Sequence, residues 1–151
     1  MSASILGTVV PVTYCTLSAC AALQDARYLR IANVWPISLV LLGLTALALQ
    51  PGTDLVSHLA SFGLVFAGAF GLFAMGWIGG GDAKLLAAVA LAFDLRTLLF
   101  FLVAVVIAGG LIALLAIIRP GDIKTRRTRR IPYGVPIAIG TIWCVLAVGA
   151  S

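Results

Sequence analysis

Glutamate is absent from this chain of 151 residues, and charged side chains of all kinds make up only 10% of it. Soluble globular domains carry about 25% charged residues, so an ordinary water-soluble fold is excluded. Cysteine is confined to Cys15, Cys20 and Cys144, all in apolar surroundings. That set is too small and too apolar for a metal centre, and the three read as small buried hydrophobes. The one histidine, His58, falls near the outer end of an apolar run and reads as an interfacial residue. No Lys or Arg precedes Arg27, so the N-terminal apolar segment lacks the basic region of a signal peptide. It is expected to be a permanent span, although Leu17-Ser18-Ala19-Cys20 imitates a lipoprotein site. No internal repeat or low-complexity tract is visible.

What the chain does have is apolar sequence: 62% of it is hydrophobic. The apolar runs extend from Ile5 to Leu23, Val34 to Leu49, Leu55 to Ile78, Ala83 to Phe93, Leu98 to Ile118, and Ile131 to Ala150. They are separated by polar or glycine-rich breaks. Lipid demands that backbone polar groups be satisfied internally, which helices do. The expected fold is therefore all-α: a polytopic membrane bundle of about six transmembrane helices, with residues 1–151 forming one membrane-embedded domain.

Basic residues set the expected orientation. With the N-terminus outside, the inner loops hold Arg27, Arg30, Lys84, Arg119, Lys124, Arg126, Arg127, Arg129 and Arg130, and only Arg96 is left outside. This fits the positive-inside rule, and it requires the fourth span. Without it, the Arg119 to Arg130 loop would lie on the opposite side from Arg27 and Arg30. The Arg126 to Arg130 cluster reads as a topogenic contact with anionic membrane lipid. No aromatic interleaving or soluble fold accompanies it, so no nucleic-acid partner is expected. Trp35 and Trp77 are placed as interface anchors, while Asp54, Asp94 and Asp122 read as solvated loop residues.

Chemistry concentrates at Gly79-Gly80-Gly81-Asp82, a carboxylate behind three glycines at the start of an apolar helix. An ionisable group at such a position is a functional site by default. From Asp82 to Phe93 the helix has 12 residues. At about 1.5 Å each it is far shorter than a hydrocarbon core of roughly 30 Å. Either the bilayer thins and Asp94 with Arg96 snorkels inward, or Asp82 lies in a water-filled cavity walled by the other helices. The glycines permit φ > 0 and close backbone approach. A second acid, Asp25, follows the first span and falls on the same side of the membrane as Asp82. Two close carboxyls share one proton and can divide base and acid work between them, as in aspartic proteolysis.

Asp25-Ala26-Arg27, Ile31-Ala32-Asn33, Gly79-Gly80-Gly81-Asp82-Ala83-Lys84 and Ile131-Pro132-Tyr133-Gly134 together resemble the type IV prepilin peptidases, membrane aspartic proteases of the GxGD group. The short format is similar to the minimal peptidases of tight-adherence pilus systems. The resemblance implies that Asp25 and Asp82 are the catalytic pair, with Gly79, Gly80, Gly81, Lys84, Asn33, Pro132, Tyr133 and Gly134 in support. It implies a bacterial inner-membrane, multi-pass enzyme that removes the leader peptides of prepilin substrates at the cytoplasmic face. No cofactor is expected.

Two departures stand out. The first motif usually reads Ile-Pro-Asn, and Ala32 in place of proline predicts a less rigid loop. Longer relatives carry a zinc-binding insert with CxxC pairs and an N-methyltransferase activity. Both the insert and the pairs are missing here, so the second activity is not expected. The rival reading is a non-catalytic pilus-assembly or small transport protein whose acids bind a cation or a proton. A transporter would place charge near mid-membrane, whereas these acids fall on one face. The sequence carries no signature of oligomeric state or of a particular pilin.

Overall fold

A computed structural model describes residues 2–50, 52–118 and 132–149, with side chains at 7–50, 52–115 and 132–147. Among these residues there are six helices and no strand: α1 (Ser2–Tyr28), α2 (Val34–Leu49), α3 (Leu55–Ala74), α4 (Gly80–Ala90), α5 (Leu95–Ile118) and α6 (Gly134–Gly149). The all-α expectation holds, one helix to each apolar run. Asp122 and the basic segment from Arg119 to Arg130 lie outside the described residues.

Helix ends depart from the apolar runs where local backbone chemistry decides them. α1 continues past its apolar run and carries Asp25 within its last turn. It stops where Leu29 adopts a left-handed φ of 53° and donates its N–H to the Asp25 carbonyl at 2.8 Å, an αL cap. α3 ends short of Ile78 because Gly76 takes φ 76°. There the Gly76 N–H bonds the Phe73 carbonyl at 2.9 Å and the Trp77 N–H bonds the Leu72 carbonyl at 3.0 Å. This Schellman pair satisfies carbonyls that the helix end would otherwise orphan.

α4 lies inside the bundle, packed on α2, α3 and α6. Leu85, Ala87, Ala88, Val89 and Ala90 are all buried. Its run of alanines lets the neighbouring helices approach closely. α1 packs on α2 and α6, and α5 packs on α6 and α3. The outer surface is apolar: Leu64 and Phe70 on α3 and Val106, Ile107 and Leu111 on α5 all stand exposed. Contiguous apolar surface on this scale marks a membrane or partner contact rather than a watered face. Two helices, Leu55–Ala74 and Leu95–Leu115, are long and apolar enough to cross a membrane, and Val34–Leu49 and Gly134–Ala147 are apolar but shorter. α4 has 11 residues, about 17 Å of helix.

At the end of the bundle away from Asp82, Asp54 and Asp94 lie in loops as expected, Asp54 exposed and Asp94 half-buried, and each also has a structural role. The Asp54 carboxylate accepts the Ser57 N–H at 3.1 Å, and Asp94 accepts the Thr97 N–H at 2.8 Å, so they cap α3 and α5. Hydrogen bonding from the Thr97 hydroxyl, against partial burial, holds the Asp94 carboxyl below its ordinary range. His58 sits at this end too, its Nδ1 3.0 Å from the Leu91 carbonyl, tying α3 to the end of α4. At the acid end, Trp35 is half-buried and its indole N–H bonds Gln24, while Trp77 is exposed.

Candidate active site

Asp25 is 5% exposed. A buried carboxylate needs donors, and α6 supplies one: the Gly134 N–H donates to Asp25 Oδ2 at 2.8 Å. Gly134 is the first residue of α6, so the positive end of that helix dipole also faces the acid. Asp25 thus stands between the negative end of its own helix and the positive end of α6. Gly134 has no room for a side chain. A Cβ there would stand 3.0 Å from Asp25 Cβ, 3.1 Å from Oδ2 and 3.3 Å from the Ala22 Cα. Pro132 and Tyr133, both half-buried, begin the turn. Their carbonyls accept the Val135 and Ile137 N–H groups, each at 3.3 Å.

Asp82 occupies the first turn of α4 and folds back on its own helix start, accepting the Gly79 N–H on Oδ2 at 3.2 Å. Asp25 and Asp82 both stand at this end of the bundle, joined through the contacts of residues 31–33. Gly79, Gly80 and Gly81 do not use positive φ, since the described glycines in that region are Gly52 and Gly76. What they provide is clearance. A Cβ on Gly79 would lie 2.7 Å from Asp82 Oδ2, one on Gly80 would lie 3.2 Å from the Phe73 ring, and one on Gly81 would lie 3.2 Å from Ile31 Cβ.

The segment Ile31-Ala32-Asn33 sits between the two acid-bearing helices. On the α4 side, Ile31 packs against Gly81 and the Lys84 ammonium donates to Asn33 Oδ1 at 3.2 Å. Asn33 precedes α2, where its side chain would ordinarily cap the helix, yet it makes no cap bond. On the α1 side, Gln24 Oε1 accepts the Ala32 N–H at 3.1 Å and the Trp35 indole N–H at 2.7 Å. The loop expected to be less rigid for want of proline is tethered from both sides. Sequence reasoning missed Gln24. Its only signal was a lone amide beside an acid, with partners eight and eleven residues along the chain.

A cavity of about 750 Å³ lies at the opposite end of α4, lined by residues that include Tyr14, Asp54, His58, Leu91 and Asp94. A smaller apolar cleft of about 240 Å³ between α2 and α3 touches Lys84, but its lining includes neither Asp25 nor Asp82. Among the described residues, no group of three or more His, Cys, Asp or Glu is arranged to hold a metal ion. Chemically, the site offers two carboxyls, one pinned by an α6 amide and one by its own helix start. Such a pair can take up one proton and release another.

A profile of the type IV leader peptidase family matches residues 12–114. The matched stretch holds Asp25, Gln24, Asn33 and the Gly79 to Lys84 motif, and it stops short of Gly134. No curated protein and no solved structure matches this chain.

Proposed function

Because this chain belongs to the type IV leader peptidase family, and is a leader peptidase at that level, we propose that it is an aspartic endopeptidase that removes the leader of prepilin-like substrates, with Asp25 and Asp82 as its catalytic residues. The observation that carries this reading is geometric: the Ile31 to Trp35 segment is tied to Gln24 beside Asp25 and contacts Gly81 and Lys84 beside Asp82, which brings acids of two helices far apart in sequence to one end of the bundle. One carboxylate removes a proton from water as the water oxygen bonds to the scissile carbonyl carbon. The other, protonated, gives its proton to the amide nitrogen as the C–N bond breaks. The base has then gained a proton and the acid has lost one, so a proton passed between them restores the pair. Each acid accepts one amide, but the Gly134 bond to Asp25 at 2.8 Å is shorter than the Gly79 bond to Asp82 at 3.2 Å. Charge is therefore favoured more on Asp25, and this reading gives Asp25 the role of base and Asp82 that of acid.

The same reading places the chain in the bacterial inner membrane with six spans, the N-terminus outside and both acids toward the cytoplasm. It is supported by the basic-residue asymmetry, by two helices of spanning length and by the apolar outer surface. The short buried α4 accounts for acids that meet below the membrane surface. Prepilin leaders are the partners, and membrane lipid surrounds the bundle.

Co-expression with a prepilin-like substrate, followed by mass determination of the product, tests the activity. Release of the leader at one defined bond is expected, and an unprocessed substrate would contradict the proposal. Topology is tested by single cysteines in a background lacking Cys15, Cys20 and Cys144. Tyr28→Cys and Thr125→Cys should be shielded from an impermeant external thiol reagent in intact cells, and Thr53→Cys should label.

A further inference from the structure

Two N–H groups converge on one side-chain oxygen beside the acid pair, and nothing in the chemistry proposed above uses that arrangement. Gln24 Oε1 accepts from the Ala32 amide at 3.1 Å and from the Trp35 indole at 2.7 Å. Both partners are obligate donors, so the oxygen and not the amide nitrogen must face them. Gln24 is half-buried, where an unmet donor is costly. The segment that it holds is the one whose other side contacts α4, through Ile31 on Gly81 and Asn33 on Lys84. The resulting chain of contacts runs from Gln24 through residues 31–33 to Gly81 and Lys84. It joins the residue before Asp25 to Gly81, just before Asp82, and to Lys84, two residues after it.

We propose that Gln24 is a positioning residue that fixes the separation of the Asp25 and Asp82 carboxyls by clamping the Ile31 to Trp35 segment between α1 and α4. The clamp depends on alanine at position 32, because proline there would have no N–H to give. Two carboxyls that share a proton are sensitive to small changes in spacing, since their mutual repulsion sets how readily the second one ionises. A loosened clamp therefore alters the pH dependence of the pair as well as its rate.

The inference rests on the Asp25 and Asp82 reading, and the test separates the two. Initial rates of prepilin cleavage, normalised to inserted enzyme, are measured against pH for Gln24→Met, Gln24→Glu, Trp35→Phe and the Gln24→Met/Trp35→Phe pair. Gln24→Met keeps the volume but loses the acceptor, so kcat should fall about tenfold, roughly 1.4 kcal/mol, with KM little changed and the pH profile displaced. Gln24→Glu keeps acceptor oxygens for both donors. It should retain most of the rate, while its added charge moves the alkaline limb of the profile to higher pH. Trp35→Phe removes one donor, and the double variant should be no slower than Gln24→Met alone. A wild-type rate and profile for Gln24→Met would overturn the inference. So would losses that multiply in the double variant with no movement of the profile. If Gln24→Met fails to insert, Trp35→Phe and Gln24→Glu decide by the same profile. Cleavage by Asp25→Asn would instead remove the dyad reading beneath it.

Discussion

Gly134→Ala places a methyl group where the structure has no space for one. The new Cβ would lie 3.1 Å from Asp25 Oδ2 and 3.3 Å from the Ala22 Cα. The Ala22 contact is with backbone, which cannot swing aside. The start of α6 must therefore retreat from α1, lengthening the 2.8 Å bond from the Gly134 N–H to the carboxylate. Hydrogen bonds to charged groups contribute about 1.5–3 kcal/mol. Losing half to all of that from the base corresponds to a rate loss on the order of tenfold to a hundredfold. The amide favours the ionised acid, so weakening it also moves the acid limb of the pH–rate profile to higher pH. Alanine is the better helix former by about 1 kcal/mol, so propensity alone predicts a more stable α6. The assay is initial prepilin cleavage per inserted enzyme from pH 5 to 8, alongside thermal stability in detergent. A wild-type rate with an unmoved profile would refute the argument that α6 holds Asp25 through its first amide.

Gly79→Ala would set a Cβ 2.7 Å from Asp82 Oδ2 and push the carboxylate off the Gly79 amide. Cleavage should fall at least as far as for Gly81→Ala, whose Cβ meets the Ile31 side chain instead, and near-wild-type rates for both would show that the glycines serve helix initiation alone. Asp94 provides the pH test of stability. Its folded carboxyl is held low by Thr97, so its contribution is complete above the unfolded value of about 3.9 and is lost as pH falls through the lower folded value. In detergent, wild type should be more stable than Asp94→Asn at pH 7, with the gap closing below about pH 4; a gap that ignores pH would remove the charge from this account of the cap.

Helix number and approximate position were legible because each apolar run is long and bounded by polar or glycine-rich breaks. Helix ends were less so. α1 closes on Leu29 at φ 53°, a conformation that leucine rarely adopts and no composition rule announces. The caps at Asp54 and Asp94 were legible in principle, since an aspartate ahead of an apolar run is a helix-start signal, but membrane context suggested solvated loops. Asp25 and Asp82 were candidates from residue type and expected side of the membrane, and Gly134 from the Ile131 to Gly134 resemblance. What the supports touch was not legible: Gly134 reaches Asp25 across 109 positions, and Gln24 accepts from a backbone amide that exists only because position 32 is not proline. The glycine run was read both for positive φ and for close backbone approach; the structure uses only the second, through missing Cβ atoms whose neighbours Ile31, Phe73 and the folded-back Asp82 no sequence rule names.

The claim that two aspartates share the proteolytic work is tested most directly by the cleavage rates of Asp25→Asn and Asp82→Asn beside wild type and Asp54→Asn. All four should be assayed on one prepilin-like substrate at matched levels of inserted enzyme. Both active-site variants should give no detectable leader release while inserting normally, and Asp54→Asn should cleave at close to the wild-type rate. Substantial cleavage by either Asp25→Asn or Asp82→Asn would contradict the two-carboxyl mechanism.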